Sequence, residues 1–347
     1  MKKLTKLFIV LDILVAICFI VVYAPIKPLE DLQNMIIATS IATKTHDYIA
    51  YTFWSEDRVN EIAQADKAIG ISDDVNLEDV VINTDPVDSY DNEYDEQILK
   101  RDSGNDLYKY LKIKVGKTDA HLVAIYDPSK IKLMTIKSFG GSYCSEGNYS
   151  CGTESVLTMS KRLGAIVAIN AGGFDDSTGY GSNIPLGYVI KDGKVKWSQN
   201  NKKASLVGFT NDNKLLLKKT TGNLAVTEDN YRDAIQFSPF LIINGKTNTT
   251  AKSGGSFSRA ARVVIAQRKD GVVLFLVTEG THTTGPTMKE CIDTLLKYGA
   301  YNAANMDGGT STQLVIKNKL INNPKNIYGQ TVVGGRNVVT AWGLFEN

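Results

Sequence analysis

The stretch "NMDGGTSTQLV", residues 305–315, sets one carboxylate, Asp307, between an amide-bearing segment and two glycines, followed by three hydroxyl residues. A carboxylate on so bare a turn can act as a nucleophile or a base, because little side-chain bulk keeps a substrate away. Glycine permits positive φ and leaves the N–H groups of Gly308 and Gly309 uncovered. The hydroxyls of Thr310, Ser311 and Thr312 suit an anionic or sugar-like ligand. The competing reading is a tight turn in which Asp307 serves as a turn or cap residue. Four further polar clusters share the glycine flanking: INAGGFD (169–175), PLGYVIKDGKV (185–195), VTEGTHTTGPT (277–287) and GGRNVVTAWGLF (334–345). Each lies at the end of an apolar run, where a rigid sheet commonly presents its chemistry.

The order of these clusters resembles the phosphodiester glycosidase family, whose uncovering-enzyme-like members remove N-acetylglucosamine from a phosphate diester. The resemblance covers about residues 110–347 and rests on the combination of motifs. Carried across, Asn170, Gly172, Gly173 and Phe174 match the first motif, and Arg262 the arginine before an apolar hairpin. Asp307, Gly308, Gly309, Ser311 and Thr312 match the central motif, and Arg336 the last. The chain departs from the pattern at three places. Thr310 stands where a third glycine or a serine is common, Glu279-Gly280 replaces Asp-Gly, and Asp175 follows Phe174 where a second aromatic is frequent.

The residue types fit this chemistry. Arg262 and Arg336 offer forked, permanently charged contacts to a phosphate diester. Glycosidases use two carboxylates, and Asp307 and Glu279 are the leading pair. A phosphate leaves readily as an anion, so one carboxylate with arginine support could suffice. His282, in "GTHTTG", either hydrogen-bonds the phosphate or is a loop histidine satisfied by backbone. Asn170, Gly172, Gly173, Gly308, Gly309, Thr310, Ser311 and Thr312 complete the expected substrate contacts. No cofactor is assigned. Loop Asp and Asn residues are of the type that ligates a divalent cation such as calcium, but no loop has EF-hand spacing.

These loops need a frame. From about Leu107 the chain is rich in short strand-like runs, and RVVIAQRKDGVVLFLVT reads as a hairpin about Lys269-Asp270-Gly271. Thr153–Leu163 and the segment from Thr287 have helical periodicity. Many strands with a few covering helices predict an α+β, β-rich mixed domain over 107–347. Residues 56–106 hold 16 acidic and 4 basic residues, whereas 107–347 hold 17 acidic and 30 basic. The near-neutral total of +2 therefore conceals an acidic segment before a basic domain. Residues 28–106 read as an amphipathic helical stretch ending in Tyr48, Tyr51, Phe53 and Trp54, then an extended, loosely ordered acidic spacer.

The first 27 residues are a membrane anchor in this reading. Three lysines precede an almost unbroken apolar run, Leu7 to Ala24, long enough to cross a bilayer as a helix. No small-x-small cleavage site follows it, and the lysines place the N-terminus in the cytoplasm. The catalytic domain then faces outward from the cell membrane on a single span. Cys144 and Cys151 bracket the short loop "CSEGNYSC", and an oxidising exterior would allow a disulfide between them. No histidine near them has zinc-like spacing.

The expected partner is an anionic glycan carrying sugar-phosphodiester linkages, in the cell envelope or an exopolysaccharide. Outward location disfavours nucleic acid despite the basic domain, and the sequence sets no oligomeric state. The rival functions are a phosphodiesterase or transferase on the same linkage, and a noncatalytic polysaccharide-binding module.

Overall fold

A computed structural model describes residues 2–42, 47–67, 75–148, 151–247 and 259–346. The apolar run forms a helix, Lys2–Tyr23, that stops just before Pro25, a residue that cannot continue the ladder. Within it, Thr5–Tyr23 is long and apolar enough to cross a membrane, the one such helix among the described residues. Helices Lys27–Ala42, Asp47–Phe53 and Glu56–Lys67 follow, with Ile37, Ala50, Val59 and Ile62 as a small shared core. Trp54 packs there and donates its indole N–H to Val22 O at 3.2 Å. Tyr48, Tyr51 and Phe53 are exposed.

Contact density divides the chain at Ala68/Ile69, and the second unit carries three sheets. The largest runs in the order Tyr108–Val115, Thr118–Ile125, Val273–Thr278, Val263–Arg268, Ala300–Asn305, Phe240–Ile243, Lys246–Thr247. A second runs Lys319–Leu320, Leu314–Ile316, Val167–Asn170, Thr340–Leu344, Ile131–Thr135. The third runs Lys194–Ser198, Tyr188–Lys191, Tyr231–Gln236, Ala204–Thr210, Leu215–Thr220. One apolar core spans all three, with Phe275 from the first, Trp342 from the second and Phe209 from the third fully buried. The strands of the predicted hairpin, Val263–Arg268 and Val273–Thr278, are buried at every residue, which explains their unbroken apolar sequence.

Two helices cover the sheets as the periodicity predicts. Val156–Leu163 starts at the Ser155 cap and ends on Gly164 in the left-handed region. Met288–Lys297 starts with a Thr287/Glu290 capping box and buries Met288, Cys291, Ile292 and Leu295. The architecture is α+β, as expected.

The acidic segment differs from its expected form. Residues 75–106 belong to the sheet unit, with Val75, Val80 and Ile98 buried. Val81 and Asn83 donate their N–H groups to Lys269 O (2.8 Å) and Asp270 O (2.9 Å), beside the hairpin turn. Asp95 forms a buried ion pair with Arg268 at 2.7 Å, and Tyr126 donates its hydroxyl to Ile98 O at 3.0 Å. Its anchors are irregularly spaced single residues, so no period announces them. The loosely ordered spacer is corrected over this half of its length.

Candidate active site

The site is built where two sheets end beside each other. Met306, just past strand Ala300–Asn305, donates its N–H to Val263 O at 2.8 Å, which carries Asp307 to the end of the largest sheet. Asp307 N–H donates to Ala171 O (2.9 Å), at the end of the second sheet's Val167–Asn170 strand. Asn170 Nδ2 donates to Asp307 O at 2.6 Å, and its Oδ1 accepts from Gln313 N–H at 2.9 Å. Asn170 is fully buried and both polar atoms hold this loop, so it is a positioning residue rather than the expected substrate contact.

Gly308 and Gly309 are required for different reasons. A Cβ on Gly308 would lie 2.7 Å from Ala261 O, so its bareness serves a close backbone approach. Gly309 has φ +57°, and its Cβ position is open space. The Gly309 N–H is not left uncovered, contrary to expectation. Gly309 N–H donates to Ala261 O at 2.8 Å, while Gly308 N–H favours the charged form of the Asp307 carboxylate. Of the hydroxyl residues, Ser311 favours the charged form of the Asp307 carboxylate, Thr312 is buried, and Thr310 is half-buried.

Asp307 is itself half-buried, and loss of solvation pushes its carboxyl up from 3.8 to about 6. The Ser311 hydrogen bond and the Arg336 charge oppose that rise, nearby Asp176 adds to it, and Gly308 N–H opposes it. Arg336 lies over the Phe174 ring, 4.8 Å from its centroid, and its Nη2 is 2.6 Å from Asp176 Oδ2. Asp176 was missed in the sequence, because an acid beside Asp175 in a polar loop carries no spacing signal. Gly172 donates its N–H to Thr340 Oγ1 (3.0 Å) and Gly173 O accepts from Leu186 N–H (3.0 Å). Both glycines are buried, and they pack the loop that carries Phe174 and Asp176.

Arg262 borders the Asp307 loop, its Cα 3.8 Å from where a Gly308 Cβ would stand. Arg262 O accepts from Thr278 N–H at 2.9 Å. The Arg262 charge acts on buried Cys291, opposing the burial that pushes that thiol up to about 12. The Arg336 charge acts on Asp307 and opposes the rise of its carboxyl. Glu279 turns its carboxylate to His121 Nε2 (3.1 Å) and accepts Asn323 N–H at 3.0 and 3.1 Å. His121 Nδ1 is 2.8 Å from the Tyr110 hydroxyl. His282 stands on an exposed turn, so the histidine beside Glu279 is His121, which strand alternation had concealed in "HLVAIYD". In the ladder, Val277 and Val264 pair with Val263 and Asn305 respectively. Two residues past the first pair and three past the second, Glu279 and Gly308 flank Ala261 from either side, their Cα atoms roughly 10 Å apart at two strand spacings. The two carboxylates thus share one sheet end without touching.

Cys144 and Cys151 are joined in a disulfide. Cys144 N–H donates to Gly181 O (2.9 Å) and Tyr143 OH to Asp175 Oδ2 (3.1 Å), so the bridged loop braces the segment holding Asp176. Replacing both cysteines by serine should lower stability by about 2–3 kcal/mol, the loop-entropy value for so short a ring. Mass mapping of nonreduced protein should show one linked peptide pair; two freely alkylated thiols would refute the bridge. Among the described residues, no group of three or more His, Cys, Asp or Glu side chains is placed to hold a metal.

The phosphodiester glycosidase (NAGPA) family model matches residues 163–345. The SPbeta prophage-derived uncharacterized protein YomE of Bacillus subtilis is 28% identical over 184 residues, covering 49% of this chain and 27% of that protein. The chain therefore spans about a quarter of that relative's length. The catalytic domain of zebrafish N-acetylglucosamine-1-phosphodiester alpha-N-acetylglucosaminidase, auto-inhibited by its pro-peptide, superimposes with a TM-score of 0.56 at 19% identity. That match covers 70% of this chain and 82% of the zebrafish chain, and it establishes likeness of fold. A hypothetical protein from Synechocystis matches at TM-score 0.45 and 18% identity, over 68% of this chain and 61% of its own.

Proposed function

Because the chain belongs to the phosphodiester glycosidase family, we propose that it hydrolyses a sugar-1-phosphodiester in an anionic envelope glycan or exopolysaccharide. The observation that carries this reading is the Asp307 carboxylate. It is half-buried, raised to about 6, and held between Ser311 and Arg336 on a loop tied to two sheets. In this reading the bond between the anomeric carbon and the phosphate oxygen breaks. Asp307 acts in its ionised form, as nucleophile at that carbon or as base toward water. Arg336 receives the charge that develops on the departing phosphate. Such a leaving group departs as an anion, so it needs little help from a general acid. Glu279, across one strand, is the second carboxylate available to the site. The basic balance of residues 107–347 suits a polyanionic substrate.

Turnover of a synthetic sugar-1-phosphodiester in isotopically labelled water tests the assignment. Label in the sugar hydroxyl means C–O cleavage at the anomeric carbon. Label in the phosphate means a phosphodiesterase instead, a glycosylated acceptor means a transferase, and binding without turnover means a noncatalytic module.

The reading places the sheet unit outside the cell, anchored by Thr5–Tyr23. Lys2 and Lys3 before the span and Lys6 at its first turn support that orientation. Protease added to cells with an accessible envelope should remove residues 69–347 and leave a short membrane stub. A sheet unit that survives this treatment intact would overturn the outward placement.

A further inference from the structure

Beside the Asp307 loop, one strand away, lies a cavity of about 590 Å³ whose lining includes Glu279. Its polar lining comes from Lys112, Asp119, His121, Glu279, Asn323 and Lys325, with Thr281 and Thr284 at its margin. Its interior wall is ordered by a chain of hydrogen bonds. His121, only 7% exposed, is held between the Tyr110 hydroxyl and Glu279, and Glu279 is fixed a second time by Asn323 N–H. A carboxylate so fixed still has acceptor capacity toward the cavity.

The charges in this cavity do not cancel. Asp119 is already paired with Lys114 at 2.6 Å. Lys112 lines the cavity, and Lys325 Nζ donates to Thr331 Oγ1 at 2.8 Å. Against these two ammonium groups stands the single carboxylate of Glu279. A ligand that matches has several hydroxyls, to donate to Glu279 and to accept from Asn323 and the lysines. It also carries one negative charge. A phosphorylated sugar unit has that composition.

The segment from Asn323 to Arg336 links the two places. It begins at the cavity with Asn323 and Lys325 and ends at Arg336 beside Asp176. Between them it exposes Tyr328, at 79%, and Val333, at 92%. An exposed aromatic face between two polar sites is the kind of surface on which a sugar ring can lie.

We propose that the cavity of Lys112, His121, Glu279, Asn323 and Lys325 is a subsite for a neighbouring sugar-phosphate unit of the chain cut at Asp307. The proposal rests on the glycosidase reading above. It makes the protein selective for a linkage inside or next to a phosphorylated run, rather than for an isolated capped sugar.

Two measurements on the full-length chain test it. The first compares kcat/KM for a sugar-1-phosphodiester with a methyl aglycone and for a trimer of sugar-phosphate repeats. Wild type should favour the trimer by at least tenfold, mostly through KM, and Lys112→Gln/Lys325→Gln should reduce that ratio to about two. Equal ratios in the two proteins, or no preference in wild type, overturn the subsite. The second measurement needs no turnover. Binding of hexose 6-phosphate, followed by NMR shifts of His121 and Asn323, should weaken about tenfold in the double variant. Shifts at those residues that are lost with the lysines support the subsite even if no substrate is hydrolysed, in which case only the glycosidase reading fails. Hexose phosphate that leaves those residues unshifted overturns the subsite itself.

Discussion

Asp307→Asn should abolish turnover, by a factor of a thousand or more, while making the folded protein more stable above pH 6. The two effects have one cause. Burial holds the carboxyl at about 6 in the folded protein against 3.8 as its ordinary value. A carboxyl whose folded value is raised favours the folded state below pH 3.8 and loses that advantage as pH rises through about 6. At neutral pH the ionised group therefore costs at most about 3 kcal/mol, two units at the standard conversion. Asparagine keeps the turn's shape, removes that cost and removes the nucleophile or base. Denaturation midpoints at pH 4.5 and 7.5, with turnover on the same samples, check both halves. In wild type, kcat/KM should rise with pH through about 6, since the reacting form is ionised. Near-wild-type turnover by a folded Asp307→Asn protein would return the glycine-flanked turn to a purely structural role.

Asp95→Ala should destabilise the sheet unit by about 2–4 kcal/mol, because it leaves Arg268 buried with less compensation. Arg268 keeps Asp270 at 2.9 Å and donates to Tyr298 O at 2.7 Å, which holds the loss below that of an isolated charge. A chain beginning at Asn105 should fare worse than the point variant, since it also loses buried Val75, Val80 and Ile98. A chain beginning at Ile69 should keep the midpoint of the intact sheet unit. Urea melts of the three, with exposed Asp88→Ala as a control near zero, decide the matter. If the chain from Asn105 matches the chain from Ile69, the acidic segment is ornamental to folding after all.

Much of the fold was legible because it follows from local pattern. Strands buried on both faces read as unbroken apolar runs, as at VVIAQR and VLFLVT, and the helix from Met288 announces itself by its capping box. The Asp307 turn stood out by its glycines, and Arg336 joins it in space. The use of the backbone was not legible. Whether Gly309 N–H faces a ligand or the chain's own backbone depends on where Ala261 lies, forty-odd residues away in sequence. The same holds for Arg336, whose charge reaches Asp307 from a distant loop. His121 and Asp176 are hidden for a related reason, since each becomes notable only through a partner from a distant strand or loop.

Arg336 has Asp176 on one side and the Asp307 carboxyl within its field, so the three groups form a small charge-regulating set. An anion docked on that guanidinium adds negative charge beside Asp307 and disfavours its ionisation further. Anion binding and proton uptake are therefore thermodynamically linked, and each must strengthen the other by the same factor. Affinity for a phosphate at this position falls as pH rises through about 6, and binding draws a proton from the buffer. Once the anion is in place, the carboxyl gives up its proton only at higher pH, so the acid limb of kcat lies above that of kcat/KM. The resident pair thus makes occupancy of the site report itself as a shift in proton equilibrium.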